Sequence, residues 1–121
     1  MTVDVRVKRI YDEPATDDGY RVLIDHVWPR GISRDRARLD AWARELAPSD
    51  ALRRWFAHDP AKFAEFRARY REELAGNDVL LDLARRAGSR RLTILYAARD
   101  QAHNNAMVVA ELLRAPDELS E

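Results

Sequence analysis

The sequence predicts a small single-domain α/β protein with a mainly parallel sheet and helices packed on both faces. Three observations carry that prediction. The strand-like runs are few, and Val22-Leu23-Ile24 and Leu92-Thr93-Ile94-Leu95-Tyr96 are continuously apolar or β-branched, which suits strands covered on both sides. Apolar residues at helical spacing fill most of the remainder. The length, 121 residues, is one domain's worth and buries enough surface to fold without staples.

In order along the chain, Val3 to Ile10 is expected as the first strand, with Val3, Val5 and Val7 on one face. Tyr11 to Gly19 is rich in turn formers and acids and reads as a surface loop with room for one helical turn. Tyr20 to Val27 is the second strand, ended by Pro29 and Gly31. This loop of about ten residues is short for a parallel crossover and long for a hairpin, so it leaves the orientation of this pair open.

Leu39, Trp42, Ala43 and Leu46 follow i, i+3, i+4, i+7 spacing before Pro48, and predict a helix. Ser49 is placed to cap a short helix carrying Leu52, Trp55 and Phe56. Asp59-Pro60 is an N-cap and first-position pair for a helix that buries Phe63, Phe66, Tyr70 and Leu74 and ends at Gly76. Asn77 caps the next, with Leu80, Leu81, Leu83 and Ala84 inward and Gly88 at its end. Arg91 to Tyr96 is the third strand, and Asn104 to Arg114 the last helix. Residues 1–115 form the domain; residues 116–121 read as a frayed acidic tail.

Composition narrows the function. Lys+Arg and Asp+Glu are both 21, and only Lys8 and Lys62 are lysines, an Arg bias expected of a GC-rich bacterial genome. The charge is uneven: residues 30–71 hold eleven basic and six acidic groups, net +5, which is modest for a dedicated nucleic-acid binder. With no Cys there is no disulfide framework, thiolate metal site or Cys nucleophile. No apolar run approaches a membrane span, and the N-terminus has no signal-peptide core, so a cytoplasmic location is expected. Gly-x-Gly-x-x-Gly, P-loop and Gly-x-Ser-x-Gly motifs are missing, and four glycines are few for a phosphate cradle; no cofactor is expected.

Ligands of open α/β sheets bind beyond the carboxyl ends of the strands. The second strand exits through Asp25-His26-Val27-Trp28-Pro29-Arg30-Gly31, and the third through Tyr96 to Asn105 into a helix. If these strands are parallel neighbours, Asp25, Trp28, Arg30, Tyr96, Asp100, His103 and Asn104 share one crevice, facing the free N–H groups of the last helix. Arg30, on a stiff loop, suits a bidentate clamp on phosphate or carboxylate; its plain alternative is an ion pair with Asp25. Asp25 and His103 are the candidate catalytic proton carriers. Trp28 is a stacking surface or core, Tyr96 a hydroxyl donor, and Asn104 a helix cap or a ligand-orienting amide. His26, His58 and His103 each have an acid nearby but lack the spacing of a metal clamp, so no metal site is expected.

These residues resemble a known family. Asp12, Gly19 to Asp25, Trp28-Pro29-Arg30-Gly31, Ala47-Pro48-Ser49, Leu52-Arg53, Trp55-Phe56, His58, Tyr70, Leu95 to Ala98 and His103-Asn104 are similar to the YeaO-like branch of the domain of unknown function 488 (DUF488) family, over roughly residues 5–114. The resemblance implies Rossmann-like layering and no assigned activity. The wider family places an Asp-x-Arg-like motif after one strand and a Cys-rich motif after another. The first corresponds loosely to Asp25 and its neighbours. The second reads Tyr96-Ala97-Ala98, so the resemblance carries no thiol mechanism here. His26 stands where the family usually has Arg.

The expectation is therefore a protein that binds an anionic small molecule, a nucleotide or phosphorylated metabolite, in this crevice. The competing reading is a nucleic-acid-binding or regulatory module using the Arg-rich helices of residues 30–71. A homodimer built on exposed aromatics is a third.

Overall fold

The structure, a computed structural model, describes residues 4–87 and 90–115; Val3, Gly88 and the acidic tail lie outside them. Among the described residues four strands form one sheet: β1 (Val5–Arg9), β2 (Tyr20–Leu23), β3 (Ala41–Trp42) and β4 (Leu92–Tyr96). Their order is β1-β4-β2-β3 and every pair is parallel. The orientation left open is thereby settled: β1 and β2 run the same way, with β4 between them. Val5 stands opposite Leu92 on one side of β4, and Val22 opposite Ile94 on the other.

Five α-helices among the described residues cover the sheet: α1 (Arg34–Ala37), α2 (Asp50–Phe56), α3 (Phe63–Leu74), α4 (Asp78–Ala87) and α5 (Asn105–Arg114). Strand alternation sorts side chains between two cores. Val22, Leu92, Ile94 and Tyr96 pack with α2–α5 in the larger one. Leu23 and Leu95 point the other way, to Ile10, Ile32 and Ala37 of α1. Both faces are covered, but unequally, because α1 is one turn long and loops complete its layer.

That thinner layer is pinned by charge. Arg21 is only 4% exposed and donates to the Ala37 carbonyl (Nη2, 2.8 Å) and to Asp18 (Nη1, 2.6 Å). Asp18, in a 3₁₀ turn at Thr16–Asp18, also accepts from Lys8 Nζ at 3.1 Å, and its carbonyl accepts from the Thr93 hydroxyl at 2.6 Å. Burial pushes the Asp18 carboxyl up, but hydrogen bonds from Ala15 N–H, Lys8 and Arg21 together hold it below its ordinary value.

The expected caps are present. Ser49 Oγ accepts from Leu52 N–H at 3.2 Å, and Asn77 Oδ1 from Val79 N–H at 2.8 Å. Asp59 Oδ1 accepts from Ala61 N–H at 3.0 Å and opens a 3₁₀ turn, Pro60–Lys62, that runs into α3.

Two expectations are corrected. The second strand stops at Leu23: Ile24 N–H still donates to the Leu95 carbonyl at 3.3 Å, and residues 25–27 run on as a loop. The helix expected through Leu39–Leu46 is instead β3 followed by a 3₁₀ turn, Arg44–Leu46. The four apolar residues do not share a face: Leu39 and Trp42 pack in the smaller core, Ala43 and Leu46 in the larger. A strand at the sheet edge delivers residues to both sides, and a helix does not. Among the described residues no helix is long and apolar enough to cross a membrane.

Candidate ligand-binding site

Because β2 and β4 are parallel neighbours, their carboxyl ends open together, and a crevice of about 800 Å³ lies there. That volume is within the range of small-molecule sites. Its lining comes from the loop after β2, residues 47 and 48, α2 and the turn after it, Phe66 of α3, the start of the loop after β4, and the start of α5.

Asp25 sits between these elements. Its Oδ2 accepts from Ala97 N–H just beyond β4, and its Oδ1 from Asn105 Nδ2 at the first residue of α5, both at 2.9 Å. Its backbone carbonyl accepts from Trp42 Nε1 at 2.8 Å. Burial pushes its carboxyl up, and the two hydrogen bonds, with His58 and Arg53 nearby, offset that rise only in part.

The Trp28-Pro29-Arg30-Gly31 loop forms the opposite wall. Trp28 Nε1 donates to the Ile32 carbonyl at 2.6 Å, closing the loop on itself. The indole meets Trp42 edge-on at 5.2 Å, and the Arg34 guanidinium lies 4.6 Å over its ring. Tyr11 Oη donates to the Arg30 carbonyl at 3.0 Å, and Gly31 turns the chain at φ 80°. The loop is thus fixed through its backbone and its Trp. The Arg30 guanidinium is exposed and has no partner among the described residues. The ion pair with Asp25 weighed as its plain role does not form.

The third wall follows α2. Ala57 and His58 both adopt left-handed backbone, φ 46° and 57°, an uncommon state for two successive non-glycine residues. This turn puts exposed His58 on the crevice beside Arg53, which is paired with Asp50. Phe56 and Phe66, stacked at 4.2 Å, and Pro48 supply the apolar surface.

Of the seven expected site residues, Asp25, Trp28, Arg30 and Asn104 line the crevice, and Tyr96, Asp100 and His103 do not. Tyr96 is buried in the larger core, and that burial raises its hydroxyl. His103 Nδ1 lies 2.9 Å from Asp100 Oδ2, and its ring meets Phe63 edge-on at 5.3 Å. Asp100 also accepts from Ala102 and His103 N–H, so it organises the turn before α5; these bonds, Ala102 first, hold its carboxyl low. Asn104 is the N-cap of α5, accepting from Met107 N–H at 3.0 Å. The free helix N–H groups expected to face the crevice are partly spent: Asn105 Oδ1 accepts from Ala106 N–H as well. Among the described residues no group of three or more His, Cys, Asp or Glu is arranged to hold a metal ion.

A family model described as the inactive DUF488-N3 subclade matches residues 4–121. The chain belongs to the DUF488 family. Within it, an uncharacterised protein of Mycobacterium tuberculosis is 43% identical over 109 residues, covering 90% of this chain and 92% of its own. The uncharacterised protein YeaO of Escherichia coli is 38% identical over 117 residues, covering 93% and 99%. No solved structure matches the chain. The residues that carried the DUF488 resemblance include the crevice loop Trp28–Gly31, Pro48, Arg53, Phe56 and His58. Sequence reasoning did not place Arg53, Phe56, Phe66 or Asn105 in the site. Asn105 had one signal, a second Asn directly after the cap; the others look like ordinary helix residues until α2 and α3 are folded against the sheet.

Proposed function

We propose that this bacterial protein binds an anionic small molecule, a nucleotide or phosphorylated metabolite, in the crevice at the carboxyl ends of β2 and β4, and that it works in the cytoplasm. The observation that carries the reading is Arg30: a guanidinium on a braced loop, lining a ligand-sized crevice, with no partner among the described residues. Arg guanidinium groups match the planar oxygens of phosphate and carboxylate. Exposed His26 and His58 line the same rim and offer further N–H donors. The subclade's description as inactive favours binding without turnover.

Four of the five arginines on α2 and α3 support the crevice over a nucleic-acid surface on those helices. Arg53 pairs with Asp50, Arg69 with Glu65, and Arg67 and Arg71 with Glu111. A face whose cations are neutralised by its own carboxylates has little left for a phosphate backbone.

The test is a thermal-shift screen against nucleotides, sugar phosphates and carboxylates, with Arg30→Ala beside the wild type. A ligand at about 100 times its Kd stabilises by roughly 2.7 kcal/mol, which moves the midpoint by several degrees. The reading expects a hit that Arg30→Ala loses. A hit that Arg30→Ala keeps, or none across the panel, overturns it.

A further inference from the structure

The crevice has two chemically opposite ends, and the acidic one has no role in holding an anion. Asp25 occupies the end next to α5, where its carboxylate meets Asn105 and Ala97. A negatively charged ligand group is repelled there, so it must lie at the Arg30 rim. Each carboxylate oxygen of Asp25 accepts one hydrogen bond from the protein; an ionised carboxylate has about four acceptor sites, so about two stay open. The two protein donors fix the plane of the carboxylate, and Phe56, Phe66 and Pro48 give the crevice an apolar wall suited to a flat ring.

We propose that Asp25 reads a pair of N–H donors on the ligand, so that the ligand is an amino-substituted heterocycle carrying an anionic group. The inference rests on the anion-binding reading above and adds the chemistry of the ligand's other end. Ring N–H and exocyclic amino groups lying side by side match the two oxygens of a carboxylate. A carbonyl edge facing Asp25 leaves acceptor against acceptor, which costs binding.

The test uses matched nucleotides on the full chain by isothermal titration. Guanosine and inosine 5′-monophosphate differ only by the exocyclic amino group beside the ring N–H; cytidine 5′-monophosphate, whose amino group adjoins a ring acceptor nitrogen, is the single-donor control. Ribose 5-phosphate serves as the probe of the anion end alone. Guanosine 5′-monophosphate is expected to bind about tenfold tighter or more than inosine or cytidine 5′-monophosphate. Asp25→Asn should bring that ratio close to one, whereas Arg30→Ala should weaken guanosine and inosine 5′-monophosphate alike. Should Asp25→Asn fail to fold, Asn105→Ala removes the amide that orients Oδ1 and should reduce the same ratio. Equal binding of guanosine and inosine 5′-monophosphate, or a preference that survives these substitutions, overturns the proposal. If ribose 5-phosphate binds and guanosine is not discriminated from inosine, the anion reading stands and this inference falls. If neither ribose 5-phosphate nor any nucleotide binds, both fall.

Discussion

At the scale of single residues, Asp25 and Asp18 are opposites. Both are acids close to the sheet, but Asp18 is surrounded by Lys8, Arg21 and backbone N–H, whereas Asp25 has one backbone N–H and one amide. Burial therefore wins at Asp25 and loses at Asp18. A carboxyl raised in the folded state binds protons more readily there than in the unfolded chain. Its contribution favours the fold at low pH and is lost as pH rises from the ordinary 3.8 through the higher folded value. Thermal midpoints of wild type and Asp25→Asn should show this: the variant gains on the wild type as pH rises through that window. Asp18→Asn should do the reverse, because a lowered carboxyl stabilises above its unfolded value and stops doing so as pH falls. Midpoint differences that are flat with pH contradict both assignments. The candidacy of Asp25 was legible in the sequence, since an acid ending a buried strand needs partners. Those partners, Ala97 and Asn105, were not, because they lie 72 and 80 residues away along the chain.

At the scale of elements, local rules succeeded where the signal was local. Ser49, Asp59, Asn77 and Asn104 cap as expected, because a cap needs only the next two or three residues. The segment 39–46 defeated periodicity because a short edge strand followed by a 3₁₀ turn scatters its apolar residues over two cores while keeping helix-like spacing. His103 failed as a site residue for a related reason: the turn set by Asp100 aims its ring at Phe63, away from the crevice. Gly19 gives a direct test of how tightly β2 is entered. It has φ 69°, and a Cβ there would sit 2.2 Å from the Arg91 carbonyl oxygen, the same carbonyl that accepts from Tyr20 N–H at 2.8 Å. Gly31, at φ 80°, has open space around it. Denaturant unfolding should show Gly31→Ala losing about 1 kcal/mol from backbone strain alone, and Gly19→Ala losing clearly more. Equal losses contradict the close approach.

At the scale of the whole molecule, the fold class was legible because continuous apolar strands demand cover on both faces, and the chain has helices to provide it. The strand order was not, since nothing local says that β4 inserts between β1 and β2. That insertion places the loops after β2 and β4 side by side and so creates the crevice. The balance of charge has a similar history: the basic middle of the sequence stands out as net +5, yet four of the five arginines on α2 and α3 meet Asp50, Glu65 and Glu111 once folded. On the crevice rim, Arg30 stays without a partner among the described residues. The most direct measurement is a two-dimensional NMR titration of isotope-labelled protein with guanosine 5′-monophosphate, in wild type and in Arg30→Ala. Amide shifts confined to residues 25–31, 53–58, 97, 98, 104 and 105, and lost in Arg30→Ala, are the predicted result. Shifts spread instead along the exposed faces of α2 and α3, or crevice shifts that persist without Arg30, would contradict an anion site at the carboxyl ends of β2 and β4.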